Sequence, residues 1–566
     1  MYRFNSTQNL TYRQGDIYLT TENGRDLGIT TNRHALTIAG ARSGKGAALI
    51  IPNLRRWPHN VLVVDPKGEN AELTYKERQA MGKNVYVIDP FKIADVPEEC
   101  RASFNPLADI DPDSITVRED ILVIADGMIR RADPKHAEWD DGARDILAGI
   151  IAFVINDAPP EYRTMKSVRD LLLQSRDNLY EDAQKMKEYA SFGGLSVAGG
   201  SMIMDAIDSD KGIEKDALAQ AKRQTSWLDS EPIKEVLSTT TFKLSEIKTD
   251  NASVYIVLPP QYIKTHAAFL RLFVRYALNV MAVGGSGQGE KCLFILDEFY
   301  ALGKIEEIQE ASGLMPSYGV HLWPFLQNMG QLQERYGKEG METFIGNADA
   351  QIFFGTTDPM ALEYVSKNIG VLTPKEITQA PPKTRGFDSW KDSSLFRSDE
   401  EDKDRLRAQQ ENEMRDYQHK MRLAGTPRLT PDQVKQLVSV HDGQPVANSM
   451  IVFDKSGAVY NLPLQPYFTH HQGTGKSGQS TPRAKRTHAA VFNMPKRDPE
   501  VPPDLVKKHA NLFGSVVDKP LDQWAWLQHI LDNPKLSHLQ DEAREILKEM
   551  KRRNETLGDK FKRWFS

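Results

Sequence analysis

Apolar runs without alternation mark the predicted strands of this chain. Strands buried on both faces lack alternating polar positions, and they belong to parallel sheets covered by helices. Seven segments show this pattern: HALTIAG from His34, NVLVVD from Asn60, NVYVIDP from Asn84, SVYIVLPP from Ser253, KCLFILDEF from Lys291, VHLWPFLQ from Val320 and AQIFFGT from Ala350. The pattern predicts an α/β fold with a mainly parallel sheet, completed by a late helix in LTPDQVKQL and a late strand in NSMIVF.

The periodicity changes in the middle of the chain. From Asn105 to Glu235 most segments carry apolar residues at helical spacing, as in EWDDGARDILAGIIAFVI and IEKDALAQAKRQTSWL. This spacing predicts an all-α domain over 105–235, inserted between the two parts, 1–104 and 236–468, of the α/β domain. A polar insertion at about 383–425 interrupts the second part.

The C-terminal region differs in composition from the rest. Residues 469–519 are rich in Gly, Ser, Thr, Pro and basic residues, which is typical of a flexible linker. Residues 520–566 carry an apolar stripe from Leu536 to Met550 and predict a helical C-terminal extension. The GTGKSG stretch from Gly473 lies in the linker without a preceding strand, so it does not indicate a nucleotide site.

Charge and composition limit the class of protein. Lysine and arginine number 72 against 77 acidic residues, so a nucleic-acid site would have to be a local basic patch. Two cysteines, Cys100 and Cys292, argue against a disulfide framework. The N-terminus has no signal-peptide pattern, and the longest apolar run, Ile146–Ile155, is about half of the ~20 residues that a membrane span needs. We therefore expect no transmembrane segment in the chain as given.

A candidate phosphate-binding loop follows the first of these strands. The usual P-loop is G-x-x-x-x-G-K-[ST], but here Ala39 replaces the first Gly and Gly46 replaces the hydroxyl residue. The strand before the loop and the apolar helix expected after it, ending near Pro52, provide the context that such a loop needs. Lys45 can reach the β- and γ-phosphates. The candidate phosphate-binding residues are Gly40, Ala41, Arg42, Ser43, Gly44, Lys45, Gly46 and Ala47.

A second motif lies at the end of the strand CLFIL. Asp297 at the strand tip can hold Mg²⁺, and Glu298 beside it can polarise the attacking water. Gln327 ends the next strand and can sense the γ-phosphate. A carboxylate pair that only caps a strand, and a polar residue that only ends one, are the alternatives. The two motifs together favour ATP binding and hydrolysis, with Lys45, Asp297, Glu298 and Gln327 as catalytic candidates.

The order of the motifs resembles the TraG/TraD-type coupling proteins of type IV secretion and conjugation. The matching segments, between about residues 25 and 468, include AGARSGKGAALIIPNL, NVLVVDPKGEN, EWDDGARDILAGII, LFILDEFYALGKI and NADAQIFFGTTDPMALEYVSKNIG. The resemblance implies a RecA-like motor domain similar to FtsK and HerA, with ATP and Mg²⁺ as ligands. Loops of the type A-P-T-R-S-G-K-G are usual in that family, so Ala39 and Gly46 resemble family features.

The resemblance also implies partners. Members are thought to form homo-hexameric rings that bind single- or double-stranded DNA. The inserted domain would face the cytoplasm and recruit a relaxase or protein effectors to the secretion channel. An arginine from a neighbouring subunit would complete each ATP site; Arg335 is the candidate, and a plain surface arginine is the alternative. Most members begin with a membrane anchor, so we expect a peripheral location at the cytoplasmic face of the bacterial inner membrane, with a separate anchor protein or an anchor missing from this sequence.

Three functional hypotheses follow. The first is an ATP-driven coupling protein that delivers relaxase–DNA complexes or effectors. The second is a receptor scaffold that binds ATP, hydrolyses little of it and gates by assembly. The absence of a hydroxyl at Gly46 is the feature that supports this hypothesis. The third is a ring translocase for chromosomal DNA, which the inserted α domain and the DPKGEN motif disfavour.

Overall fold

The structure is a computed structural model. It describes residues 4–130, 137–188, 190–209, 212–249, 251–283, 287, 289–372, 411, 412, 414, 415, 418, 425–440, 444, 446–469, 539, 544 and 546. The chain divides into two units, Met1–Gly473 and Thr474–Ser566. Most of the predicted polar insertion and nearly all of the predicted linker and C-terminal extension lie outside the described residues.

Eleven strands occur in the described part of the chain. In order they are β1 (Ile17–Glu22), β2 (Arg25–Ile29), β3 (His34–Ala39), β4 (Asn60–Asp65), β5 (Asn84–Ile88), β6 (Ala252–Val257), β7 (Cys292–Leu296), β8 (Val320–Leu326), β9 (Ala348–Phe354), β10 (Ser449–Asp454) and β11 (Val459–Pro463). The first two form an antiparallel ribbon. The other nine described strands form one sheet in the order β11-β10-β9-β3-β8-β7-β4-β6-β5.

The strands from β9 to β5 in this order are parallel, and β10 and β11 add an antiparallel edge. Every residue of β3, β4, β6, β7 and β8 is buried, as the uninterrupted apolar runs predicted. The carboxyl ends of β3, β8, β7 and β4 are neighbours, since Ile38 pairs with Leu326, and Leu296 pairs with Val64. The residues that follow these strands therefore meet at one edge of the sheet.

Helices cover both faces of the sheet. Those after β3 and β4 are α1 (Ile51–Leu54) and α2 (Glu69–Ala80). Between β5 and β6 the described helices are α3 (Val117–Met128), α4 (Ala137–Asp157), α5 (Met165–Leu172), α6 (Arg176–Glu188), α7 (Ser191–Asp208), α8 (Ile213–Gln224), α9 (Glu231–Ser238) and α10 (Glu246–Thr249). The remaining ones are α11 (Pro260–Ala282), α12 (Glu306–Leu314), α13 (Met329–Asn347), α14 (Pro359–Ile369) and α15 (Pro431–Val438).

The helical block between β5 and β6 is held by close helix crossings. Gly149 of α4 lies against Gly199 of α7, and a Cβ at Gly149 would come within 2.6 Å of the Gly199 Cα. Backbones can approach this closely only where neither residue has a side chain. The apolar face of α4, which includes Ile146, Ile150 and Val154, is buried in the same core. This is the apolar run that was too short for a membrane span.

Three local features differ from the predicted elements or were not predicted. The helix expected to end near Pro52 begins as a π-helix, Gly46–Ile50, and continues to Leu54 as α1. Helix α10 extends the helical segment beyond Glu235 to Thr249. The antiparallel strand β11 was not predicted, because VYNLP is short and has no uninterrupted apolar run. Among the described helices, none combines the length and apolar character that crossing a bilayer requires.

Candidate nucleotide-binding site

The phosphate-binding loop lies at the carboxyl end of β3, the central parallel strand between β8 and β9. Two of its residues, Arg42 and Gly44, have positive φ angles of 57° and 95°. Such left-handed residues in a short loop turn successive N–H groups to one side, which makes a concave anion site. The helix that begins at Gly46 adds its N-terminal N–H groups, which have no acceptor within the helix.

Two glycines are required by close backbone contacts at this loop. A Cβ at Gly40 would lie 1.9 Å from the carbonyl oxygen of Gly355, which follows β9. A Cβ at Gly355, whose φ is 59°, would lie 2.1 Å from the Ser43 Cβ. Ser43 itself is fully buried, and its hydroxyl donates to the Gly40 carbonyl at 2.7 Å. The Ser43 side chain therefore shapes the loop and does not face a ligand.

The segment that leads into β10 lies behind the loop. The Ala447 N–H donates to the Ser43 carbonyl at 2.9 Å, and the Gly355 N–H donates to the Val438 carbonyl at 2.7 Å. A Cβ at Gly44 would lie 2.3 Å from Cγ1 of Val446. A side chain at Gly44 would therefore displace either the loop or this segment.

Lys45 contacts both carboxylates of the second motif. Its Nζ lies 2.7 Å from Oδ1 of Asp297 and 3.1 Å from Oε1 of Glu298. Burial alone would lower the pKa of Lys45, but the two carboxylates outweigh it and raise the pKa above its ordinary value. The ammonium is therefore charged at neutral pH and stands where phosphate oxygens would need it.

Glu298 has an unusual backbone conformation. Its φ and ψ are 58° and 42°, the left-handed region that costs a residue with a side chain about 1–3 kcal/mol. This turn directs the carboxylate back toward Lys45, and Oε2 accepts from Nε2 of Gln327 at 3.4 Å. The backbone N–H of Glu298 donates to Oδ1 of Asp297 at 3.1 Å. The structure thus brings together four of the five catalytic candidates.

The fifth candidate, Arg335, lies elsewhere. Its guanidinium stacks on the ring of Tyr300, with Cζ 4.1 Å from the ring centroid. The Tyr300 hydroxyl donates to Oε1 of Glu334 at 2.7 Å. Tyr300 follows Glu298 by two residues, so Arg335 contacts the turn after the carboxylates and not the carboxylates themselves. Its role toward a neighbouring subunit stays a prediction.

The space that the missing hydroxyl would occupy is empty of protein atoms in the described part of the chain. No atom lies within 4 Å of where a Cβ of Gly46 would be, so nothing replaces the absent Ser or Thr from that direction. No group of three or more His, Cys, Asp or Glu side chains suited to a metal occurs among the residues that the structure describes. Asp297, whose side chain is 17% exposed, is the carboxylate placed to bind Mg²⁺, with phosphate and water completing the shell. The residues present fit this role.

A third carboxylate at this edge, Asp65, was not predicted from the sequence. It ends β4 beside the tip of β7, is 1% exposed and accepts from the Ala71 N–H at 2.9 Å. Burial, together with the charge of Asp297, raises the pKa of Asp65 to about 7. The sequence contains a signal for Asp65, because NVLVVD and CLFILD both end an apolar strand with Asp. An Asp before a helix is also an ordinary helix cap, so this pattern alone does not indicate a functional residue.

A model of the family described as type IV secretory system conjugative DNA transfer matches residues 3–427. The chain belongs to this family. The expected resemblance to coupling proteins is confirmed, and the match begins earlier and ends earlier than the span predicted from the motifs.

Relatives of this member of the family include VirD4 of Agrobacterium fabrum. The two are 28% identical over 370 residues, which cover 63% of this chain and 52% of VirD4. The conjugal transfer protein TraG of Escherichia coli is 26% identical over 358 residues, covering 60% of this chain and 55% of TraG. The chain therefore spans about half the length of the curated relatives it matches.

Solved structures of the plasmid coupling protein TrwB share the fold. TrwB in complex with ADP and Mg²⁺ aligns with a TM-score of 0.54 at 14% identity, over 82% of this chain and 93% of TrwB. TrwB in complex with the non-hydrolysable GTP analogue GDPNP aligns with the same TM-score and identity over 81% and 91%. The predicted RecA-like P-loop ATPase fold with a mainly parallel sheet is confirmed.

Proposed function

We propose that this protein is an ATP-binding and ATP-hydrolysing coupling protein of a type IV secretion or conjugation system. The observation that carries the proposal is the cluster of Lys45, Asp297, Glu298 and Gln327 beside the concave loop 40–47. These residues come from three neighbouring strand ends, and ligands of open α/β sheets bind at such carboxyl ends. Membership of the conjugative DNA transfer family and the likeness to nucleotide-bound TrwB support the same conclusion.

Each residue has a separate task in this proposal. The loop N–H groups and the Lys45 ammonium bind the β- and γ-phosphates, so Lys45 must exchange its two carboxylates for phosphate oxygens. Glu298, once released, accepts a proton from the attacking water. Gln327, bonded to Glu298, reports whether the γ-phosphate is present. Asp297 would hold Mg²⁺, which supplies positive charge to the phosphates when bound.

The partners are proposed from the family. DNA, single- or double-stranded, and a relaxase or protein effectors are the substrates that a coupling protein would deliver to the channel of the secretion system. We further propose a homo-hexamer, located at the cytoplasmic face of the bacterial inner membrane and attached through a separate anchor protein or an anchor segment. VirD4, TraG and TrwB support these proposals as relatives or structural neighbours of coupling or conjugal transfer type.

Two observations favour a second function. Gly46 supplies no hydroxyl for Mg²⁺, and Lys45 rests on the two carboxylates that hydrolysis would need. A protein of this kind could bind ATP tightly, turn it over slowly and act as an ATP-gated receptor. A ring translocase for chromosomal DNA remains a third alternative, without an observation in its favour.

The deciding experiment is ATP hydrolysis by the purified chain with and without DNA, using Glu298→Gln as the control. DNA-stimulated turnover that the control lacks would support the coupling ATPase. Tight ATP binding with no turnover under any condition would favour the gated receptor. Absence of ATP binding would overturn both.

A further inference from the structure

A buried arginine without an acceptor lies at the junction of the helical block and the sheet domain. Arg271, in the middle of α11, is 5% exposed. Within the described part of the chain, no hydrogen bond or ion pair is formed by its guanidinium. Burial, with the charges of Arg130 and Arg275, lowers the pKa of Arg271 to about 10, so it is still cationic at neutral pH.

Its surroundings add positive charge rather than neutralise it. Arg275, one turn further along α11, pairs with Asp126 at the end of α3. Arg130, two residues after α3, is exposed and close enough for its charge to lower the pKa of Arg271. Three guanidinium groups, those of Arg130, Arg271 and Arg275, are therefore near one another at this junction. The protein carries a net charge of −5, so this is a local basic cluster of the kind that a nucleic acid would need.

Arg78 shows what a structural buried arginine looks like in the same molecule. It is completely buried in α2, yet its guanidinium donates to Ser253 Oγ at 2.9 Å and to the carbonyl oxygens of Leu54, Trp57 and His59. Every side of that guanidinium has an acceptor. Arg271 is almost as buried, at 5% exposed, but no described residue accepts from its guanidinium, which is left with its small remaining contact to solvent.

An unpaired buried charge costs several kcal/mol, which proteins tolerate where the charge has a task. The missing partner must be an anion with several acceptor atoms, since a guanidinium presents five N–H donors in a fork. Phosphate matches this fork in bidentate fashion. Nη1 of Arg271 lies 4.0 Å from where a Cβ of Gly303 would be.

We propose that Arg271, with the exposed Arg130 beside it, forms a second phosphate-binding site that takes a backbone phosphate of nucleic acid. Gly303 follows Glu298 by five residues through the short helix Phe299–Leu302. A phosphate at Arg271 would therefore contact the loop that continues from the catalytic carboxylates. That the phosphate belongs to nucleic acid rests on the proposed function. That Arg271 binds a phosphate at all rests only on its unpaired charge. A free nucleotide is the other source of the same chemistry.

The first test is salt-dependent binding of a labelled 20-nucleotide oligothymidylate to the full-length chain. All variants carry Lys45→Ala, which removes phosphate binding at the loop. Adding Arg271→Met should weaken binding about tenfold or more, and should reduce the slope of log K against log salt by about 0.7, the value for one lost phosphate contact on a single strand. Adding Arg78→Met should leave that slope unchanged. An unchanged slope in the Arg271 variant would overturn the site.

The second test separates a binding role from a structural one. In thermal unfolding without anions, Arg271→Met should unfold at the same temperature as its parent or higher, because an unpaired buried charge is removed. Arg78→Met should unfold at a lower temperature. A similar decrease in the unfolding temperature of Arg271→Met would show that Arg271 is structural, and would overturn the proposal.

Further arms identify the source of the phosphate. Stabilisation of the Lys45→Ala parent by the oligonucleotide, lost with Arg271→Met, would confirm nucleic acid. Stabilisation by ATP alone, lost in the same variant, would assign the site to nucleotide. Stabilisation by neither would overturn the site. Oligonucleotide binding that survives Arg271→Met unchanged would reject this inference while leaving the proposed function intact, and no nucleic-acid binding by the wild-type chain would count against both.

Discussion

The ammonium of Lys45 lies 2.7 Å from Oδ1 of Asp297, so the phosphate-binding lysine and the Mg²⁺ candidate are ion-paired with each other. Glu298 shares the same ammonium at 3.1 Å. Nucleotide binding must separate these charges and replace each with a partner of opposite sign. The resting site is consequently closed to hydrolysis until phosphates enter.

Replacing Lys45 with Ala should weaken ATP binding by about 10- to 100-fold, because one charge-assisted contact to phosphate is lost. Equilibrium binding of a fluorescent ATP analogue measures this. Lys67→Ala is the matched control, an exposed lysine after β4 at the same sheet edge. Equal affinities for Lys45→Ala and wild type would remove the loop assignment.

Glu298→Gln should keep ATP binding and lower turnover by about 10²-fold or more, since the general base is lost while its shape is retained. Steady-state phosphate release measures the turnover, and equilibrium binding on the same sample measures the ATP affinity. Glu334→Gln, an exposed carboxylate bonded to Tyr300, is the control. Wild-type turnover in the Glu298 variant would exclude it as the base.

Gly46→Ser should be tolerated, because the space around its Cβ is empty, and should restore a hydroxyl ligand for Mg²⁺. We expect ATP hydrolysis to reach half its maximum at a lower Mg²⁺ concentration. Gly44→Ala should instead impair nucleotide binding, because its Cβ would collide with Val446 at a φ of 95°. A Mg²⁺ dependence that does not change in Gly46→Ser would show that the metal does not approach that position.

Gln327→Leu should reduce turnover by about tenfold with little change in ATP affinity, since its amide bonds to Glu298 rather than to Lys45. Comparison of kcat with nucleotide Kd tests this. Gln333→Leu, an exposed glutamine on α13, is the control. A weakened Kd with normal kcat would make Gln327 a binding residue.

Gly149→Ala should destabilise the helical block by about 1–3 kcal/mol, because the added methyl group would overlap Gly199. Gly346→Ala, in α13 with no atom near its Cβ, should be neutral or stabilising. Chemical denaturation of both variants provides the comparison. If Gly149→Ala is as stable as the wild type, α4 and α7 can move apart without loss of stability.

The sequence was sufficient for features that depend on local patterns. Buried parallel strands lack alternation, and so β3, β4, β6, β7 and β8 were predicted, along with the carboxylates that end β7. The same patterns predicted that Lys45, Asp297, Glu298 and Gln327 follow the ends of their strands, and the parallel sheet of the structure brings those ends together.

Features that depend on contacts between distant segments could not be predicted in this way. Nothing in a single sequence shows that Glu298 adopts a left-handed conformation or that Lys45 rests on it. The unpaired state of Arg271 depends on the ends of α3 and on Gly303, more than 100 residues before it and about 30 after it. The all-α character of the inserted region followed from periodicity, but its glycine crossing at Gly149 did not.

The contact of Val446 and Ala447 with the phosphate-binding loop has a consequence for biosynthesis. The backbone that supports the loop is made some 400 residues after the loop itself. A nascent chain emerging from the ribosome therefore carries the loop long before it carries its support. Nucleotide can stabilise the growing polypeptide through a fully supported loop only after Val446 and Ala447 have emerged, by which time the whole helical block has had time to fold.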